Sequence, residues 1–164
     1  MANKRTRYLG LDLSLSYPGL AVVDITRGGP RIVCVDSIPT DPRRWDEGQR
    51  LDYVAAWLKC ALYEYGPFDG IVREQAPNGH NAHVSRALFG VRAVSEICFR
   101  GLGVTIFEYS PATVKKQVAG NGRATKEDVE RGVLSYFPDA EPRNDNETDA
   151  LAVLLTHFKK EGII

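Results

Sequence analysis

Apolar and polar residues alternate at the start of the chain. Leu9, Leu11 and Leu13 occupy every second position, with Gly10 and Asp12 between them, the pattern of a short strand that buries one face. Gly19 to Ile25 predicts a second strand, and Arg31 to Ile38, rich in Val and Ile, a third. Ser14, Ser16, Pro18 and Gly19 supply the first turn and Arg27-Gly28-Gly29-Pro30 the second, so the chain is expected to open as an antiparallel meander. Pro39 to Arg44 is a linker.

From Trp45 to Tyr65 the period lengthens. Leu51, Val54, Ala55, Leu58, Ala61, Leu62 and Tyr65 recur at helical spacing, and Gly66-Pro67 ends the helix they predict. Gly70 to Glu74 reads as a fourth strand which, like the first, closes on a carboxylate. Gln75 to Ala82, with Pro77, Asn78, Gly79, His80 and Asn81, reads as a loop. Val84, Ala87, Leu88, Val91, Val94 and Cys98 mark a second helix that Gly101 stops, and Val104 to Tyr109 is a fifth strand. Ser110 as N-cap and Pro111 at the first helical position open a helix to Ala119. Gly120-Asn121-Gly122 breaks it, and Thr125 opens another that runs to Phe137 before Pro138. Asn144 and Glu147 have the spacing of a capping box. The last helix then carries Ala150, Leu151, Val153, Leu154, Leu155 and Phe158 into the core.

The order β-β-β-α-β-α-β-α-α-α predicts an α/β fold with a five-stranded mixed sheet, an antiparallel meander joined by parallel strands, flanked by helices. The strand closing the first crossover can lie parallel beside the first strand, which would bring Asp12 and Glu74 to one end of the sheet. No repeat, low-complexity tract or composition break divides the chain, so residues 1–164 are expected to form a single domain.

Bulk composition changes this picture little. Lys plus Arg and Asp plus Glu each number 21, so the net charge is zero and any basic surface must be local. Cys34, Cys60 and Cys98 are scattered, and each falls in an apolar segment. Buried free thiols in a reducing compartment are expected, not a disulfide framework or a zinc site. Lys4-Arg5-Thr6-Arg7 precedes an apolar run that breaks at Asp12, too short for a signal peptide, and no segment reaches membrane-spanning length.

The acids change it more. Asp149 lies one turn inside the last helix, against the apolar run Ala150 to Leu155, with Asp145 and Asn146 four and three residues earlier on the same side. A carboxylate at the edge of an apolar face is costly unless it is paired or binds metal. Each acid taken alone has an ordinary reading: Asp12 as a turn cap, Glu74 as a salt-bridge partner, Asp149 as a solvated helix residue. Brought to one sheet edge, Asp12, Glu74 and Asp149 would raise one another's pKa and call for a cation. Oxygen ligands favour Mg²⁺ or Mn²⁺ over zinc, and two such ions suit phosphodiester hydrolysis.

Four blocks of sequence then carry a resemblance. They are Leu9-Gly10-Leu11-Asp12 with Gly19-Leu20-Ala21-Val22; Arg73-Glu74-Gln75; the basic stretch Ser110 to Lys126; and Asp149-Ala150-Leu151-Ala152 with Thr156-His157. In this order they resemble the RuvC family of Holliday junction resolvases, the crossover junction endodeoxyribonucleases. The resemblance implies an RNase H-like fold, a homodimer, and paired Mg²⁺-dependent incisions in four-way or branched DNA during recombination and repair. Mn²⁺ would substitute, with two ions per site. It implies a cytoplasmic protein, nucleoid-associated or in a virus-infected cell, with no membrane partner and with a branch-migration helicase as a further candidate partner. Asp12, Glu74 and Asp149 match three catalytic acids of the family. The fourth metal position falls on Asn146, a neutral carbonyl donor, beside Asp145. The position where the family carries a stacking aromatic falls on Pro77, and His80 and Asn81 follow as candidate DNA contacts.

Lys115, Lys116, Arg123, Lys126 and Arg131 flank the Gly-x-Gly break, and the amides opening the Thr125 helix are candidates to hold a phosphate. The resemblance maps Lys115 and Lys126 onto lysines near the scissile phosphate, Lys126 in a catalytic role. Arg86 and Arg92 are further candidate DNA contacts, and Ala87, Gly90 and Ala93 allow close helix approach, which the resemblance implies at a dimer interface and which could equally fit this helix onto the sheet. Two other functions compete: a YqgF-type RNase H-like nuclease acting on structured RNA or other branched DNA, and a non-catalytic junction-binding protein. An actin-like nucleotide-binding fold needs two such domains, and this chain has room for one.

Overall fold

The computed structural model describes residues 5–76 and 82–164. In it the expected elements follow in the expected order. Strands β1 (Thr6–Asp12), β2 (Gly19–Thr26) and β3 (Gly29–Ser37) precede helix α1 (Glu47–Tyr65) and strand β4 (Gly70–Glu74). Helix α2 (Ala82–Phe99), strand β5 (Thr105–Tyr109) and helices α3 (Pro111–Ala119), α4 (Lys126–Tyr136) and α5 (Asp145–Lys160) complete the order. The sheet order is β3-β2-β1-β4-β5, with β1 antiparallel to β2 and parallel to β4. Among the described residues no helix is long and apolar enough to cross a membrane.

Strand alternation sorts the two faces. Leu9, Leu11, Leu20, Val22 and Ile71 point to one side, where Val54, Leu58 and Ala61 of α1 and Val91 of α2 cover them. Ala21, Val23 and Val72 point to the other, under α5, with α3 and α4 packed behind it. Helix α5 therefore lies between the sheet and two helices. Every residue from Ala150 to Phe158 is buried, not only the apolar stripe expected from its spacing, because a helix enclosed on all sides must be apolar or internally satisfied all round. Thr156 meets that demand by donating to the Ala152 carbonyl at 2.9 Å, and His157 by sharing a 3.0 Å hydrogen bond between its Nδ1 and the Tyr109 hydroxyl. Burial lowers the His157 pKa and keeps the ring neutral. Leu151, Leu154, Leu155 and Phe158 are completely buried, each stabilising the fold by about 2–3 kcal/mol.

Helix capping follows the expected residues, with one change. Ser110 caps α3, and Thr125 forms a reciprocal capping box with Asp128 at the start of α4. Asn144 caps α5 by accepting from the Glu147 amide at 3.1 Å, but Glu147 does not reach back to complete the box. Its side chain is buried. It accepts from Ser37 Oγ at 2.6 Å, from the Arg143 amide at 2.7 Å and from Arg143 Nε at 2.9 Å. Those bonds hold its carboxyl below the usual range in spite of burial, and fasten the first turn of α5 to the end of β3.

Three other expectations change. Cys60 is exposed, and Cys34 and Cys98 are half-buried, because Cys60 falls off the apolar stripe of α1. Arg7 belongs to a buried pair, not to a basic tail: its guanidinium donates to Asp24 at 2.6 and 2.9 Å across the β1–β2 register. Gly90 faces α1, where an added Cβ would touch Leu51 at 3.5 Å, so it serves packing within the chain.

Candidate active site

The acids are placed by two regularities of the sheet. Even-numbered residues of β1 and β4 point towards α5, since Gly10 contacts that helix and Val72 belongs to its core. The parallel register pairs Leu11 with Arg73, so the next residues, Asp12 and Glu74, end their strands side by side on the α5 face. The third acid arrives on α5 itself. A Cβ on Gly10 would stand 2.3 Å from the Ala150 carbonyl oxygen, and one on Gly19 2.3 Å from that of Asn146. Only glycine lets the helix lie this close to β1 and β2, and that closeness brings Asp149 to the strand ends.

The electrostatics register the convergence. Asp12 is pushed up to about 7 by burial and by the charges of Asp149 and Glu74, against a smaller opposing effect of Lys126. Glu74 is pushed up to about 7 by burial and by Asp149, with Lys115 opposing. Asp149 is raised by burial and by Asp145, with Lys126 and Lys115 opposing. Burial and charge alone account for these shifts, with no hydrogen bond among their causes. As placed, no three Asp, Glu, His or Cys side chains among the described residues are close enough together to hold an ion, so the acids form an open edge.

An oxygen-only set of three partly buried, mutually repelling carboxylates fits a hard divalent cation. Asn146 is half-buried over Gly19, where its amide oxygen is a candidate neutral donor. Asp145 is exposed and accepts from Lys126 Nζ at 2.6 Å. Both partners are largely in water, so the pair is worth about 0–1 kcal/mol and can exchange.

The linkage sign gives one prediction. Asp12 has a folded pKa of about 7 against an ordinary 3.8, so its contribution to stability is present below about pH 4 and lost as pH rises through 7. In EDTA, Asp12→Asn is therefore expected to unfold at higher temperature than wild type at pH 8. The gain should have a ceiling of about 4 kcal/mol and vanish below pH 4. Thermal melts at the two pH values check it; equal melts at pH 8 would contradict the burial and charge that raise Asp12.

The basic residues divide. Lys115 on α3 and Lys126 on α4 flank the acids, each lowering the pKa of Asp149. Lys116 and Arg123 are exposed nearby, while Arg131 pairs with Asp128 on α4. Around the start of α4, Thr125 N and Asp128 N are taken by the capping box and Arg123 N by Asn121 Oδ1, which narrows the candidate phosphate-binding amides to those of Lys126 and Glu127. Pro77, His80 and Asn81 lie outside the described residues.

Two arginines change role. Arg86 pairs with Glu47 at 3.2 Å. Arg92 lies against the site from behind, donating through Nη1 to the Glu74 carbonyl at 2.9 Å and through Nη2 to Glu108. Glu147 and Gly19 were also missed as site-forming residues. The signal for Gly19 was present in its pairing opposite Asp12; for buried Glu147 no local pattern distinguished it from an exposed helix residue.

Comparison with known proteins adds three findings. The family model described as "Crossover junction endodeoxyribonuclease RuvC" matches residues 8–157. The chain is 32% identical over 159 residues to the protein of that name from Xanthobacter autotrophicus, covering 95% of this chain and 91% of the relative. It is 33% identical to the one from Chromohalobacter salexigens, covering 96% and 83%. Among solved structures, Thermus thermophilus RuvC superposes with a TM-score of 0.81 at 24% identity, covering 96% of this chain and 97% of that one. The same protein in complex with Holliday junction substrate gives 0.81 at 21% identity over the same shares. The fold is thus the RNase H-like one expected from the sequence.

Proposed function

The chain belongs to the RuvC family of crossover junction endodeoxyribonucleases, and on that premise we propose that it resolves four-way DNA junctions by paired, metal-dependent phosphodiester hydrolysis. The observation that supports this most is the convergence of Asp12, Glu74 and Asp149 from two parallel strand ends and one buried helix, each carboxyl raised first by burial and then by a neighbouring acid. A site for binding alone has no use for three unpaired acids facing a polyanion.

Nucleases of this family depend on a divalent metal; here Asp12, Glu74 and Asp149 would hold Mg²⁺ or Mn²⁺, as two ions, with Asn146 as a weaker fourth donor. The metal supplies an activated water and offsets charge on the leaving oxygen. Lys126 leaves its exposed pair with Asp145 to bind a phosphate oxygen, and Lys115 does the same from the α3 side. Both thereby stabilise charge that grows in the transition state. Lys116 and Arg123 add sequence-independent affinity for the backbone. Pro77, His80 and Asn81, which follow Glu74 in the sequence, are the residues we assign to the opened strands near the crossover.

Pairing of incisions requires two sites. Helix α2 exposes Phe89, Ala93 and Ile97 as one stripe, i, i+4 and i+8, on the side away from α1. Phe89 is 59% and Ile97 69% exposed, which is costly for a monomer. A two-fold dimer through this stripe presents equivalent sites to two symmetric strands. The deciding experiment offers purified protein a mobile four-way junction, a matched duplex and a structured RNA, each with Mg²⁺ or EDTA. Symmetric nicks in the junction that require Mg²⁺ are expected. Preference for RNA would favour the YqgF-type reading, and tight junction binding without cutting the non-catalytic one.

A further inference from the structure

We propose that Arg92 is a positioning residue for the active site: it sets the end of β4 that carries Glu74 and ties that end to α2. The inference rests on the nuclease reading above and deepens it. Arg92 leaves α2 with its side chain 14% exposed and makes two directed bonds. Its Nη1 donates to the main-chain carbonyl of Glu74 at 2.9 Å, and its Nη2 to the carboxylate of Glu108 on β5.

Glu108 aims the guanidinium and is itself fixed. It also accepts from Arg73 Nε at 2.8 Å, and Arg73 is buried, with Nη1 on Ser95 at 2.9 Å and Nη2 on Glu96. Held between two guanidinium groups, the Glu108 carboxyl sits below its ordinary pKa despite burial and stays an anion. Glu74 is the last residue of β4 and lies in register with Tyr109 of β5. One more main-chain bond, from Gln75 N to the Tyr109 carbonyl at 2.9 Å, closes the pairing with β5. The peptide that follows Glu74 is thus held at its amide by Tyr109 and at its carbonyl by Arg92, and the Arg92 bond ties this end of β4 to α2. A planar fork is needed for two targets on different strands, and a lysine reaches only one of them at a time.

Arg92 faces away from the α5 side and contacts no reacting group; it acts through Glu74. The geometry connects the exposed Phe89–Ala93–Ile97 stripe, on the same helix, to the acid set within one side chain. A shift of α2 on meeting a partner or DNA is transmitted through Arg92 to Glu74.

The test compares Arg92→Gln and Arg92→Lys with Glu96→Gln, which removes one partner of Arg73 and leaves both Arg92 bonds intact. Three quantities are read: Mn²⁺ affinity of the DNA-free protein by electron paramagnetic resonance, kcat on a saturating four-way junction, and the melting temperature. Arg92→Gln is expected to weaken Mn²⁺ binding and lower kcat by about 10- to 100-fold each, the range for groups that orient a metal ligand. Its junction affinity in Ca²⁺ should stay within about 2-fold of wild type, since only the metal ligand has moved. Arg92→Lys is expected to fall between the two, and Glu96→Gln to match wild type. Unchanged Mn²⁺ affinity in Arg92→Gln overturns the proposal, as does an equal loss in Glu96→Gln or a loss that cooling below the melting transition restores. The Mn²⁺ measurement needs no DNA, so it stands even if wild type cuts no junction, an outcome that would instead remove the nuclease reading.

Discussion

Asp12→Asn is expected to bind four-way junctions as tightly as wild type and to cut them at least about three orders of magnitude more slowly, equivalent to about 4 kcal/mol of lost transition-state stabilisation. Asp12 ends β1 opposite Glu74 and feels both other acids. Asn keeps the volume and one oxygen donor but removes the charge, so the metal-holding set falls from three anions to two. Binding should survive, or improve slightly, because the DNA backbone is itself anionic and one repelling charge has gone. Gel-shift titration in Ca²⁺ and single-turnover cutting in Mg²⁺ separate the two effects. Cutting within 10-fold of wild type would remove Asp12 from the chemistry. Loss of binding together with cutting would mean that the acid supports the fold and not the reaction.

The second large effect is expected at a residue with no side chain. Gly10→Val would place a Cβ 2.3 Å from the Ala150 carbonyl oxygen and 2.6 Å from Leu154 Cγ. Leu154 can turn away; a helix backbone oxygen cannot, so α5 has to move off the sheet. Overpacking of this kind costs about 1–3 kcal/mol or more, and here it also pulls Asp149 away from Asp12 and Glu74. The variant is expected to melt several degrees lower and to lose Mg²⁺-dependent stabilisation. Chemical denaturation with and without Mg²⁺ measures both. A variant that is destabilised but still gains the wild-type increment from Mg²⁺ would show that α5 and the acid set are not mechanically linked.

These two positions also show which parts were legible in advance. Asp12 and Glu74 could be paired from the chain alone, because alternation assigns faces and a β-α-β crossover makes neighbours of the strands it joins. Asp149 was legible as a carboxylate beside an apolar run. The role of Gly10 was hidden: a glycine in a strand marks close approach of something, and only the tertiary structure says that it is the backbone of α5. Glu147 was read as half of a capping box because local spacing cannot report that Ser37, 110 residues away, waits beside it. Arg92 looked like a surface cation on a polar helix face for the same reason; both its partners lie on other elements. Cys60 was misplaced by a smaller error, one position of helical phase. For Gly10, Glu147 and Arg92 what sequence could not show was the long-range contact.

The burial of α5 on every side has a consequence for how the molecule comes into being. It follows every other element in the chain, yet it forms the middle of the structure, against β1 and β2 on one side and α3 and α4 on the other. While α5 is still being synthesised, the strands, α3 and α4 have nothing to close upon, and Ala21, Val23 and Val72 stand in water. The core and the acid set are then completed by one event, because the segment that fills the centre is the one that carries Asp149. On the proposed assignment of Asp12, Glu74 and Asp149, a chain that lacks α5 lacks one of the three acids along with the centre of its core.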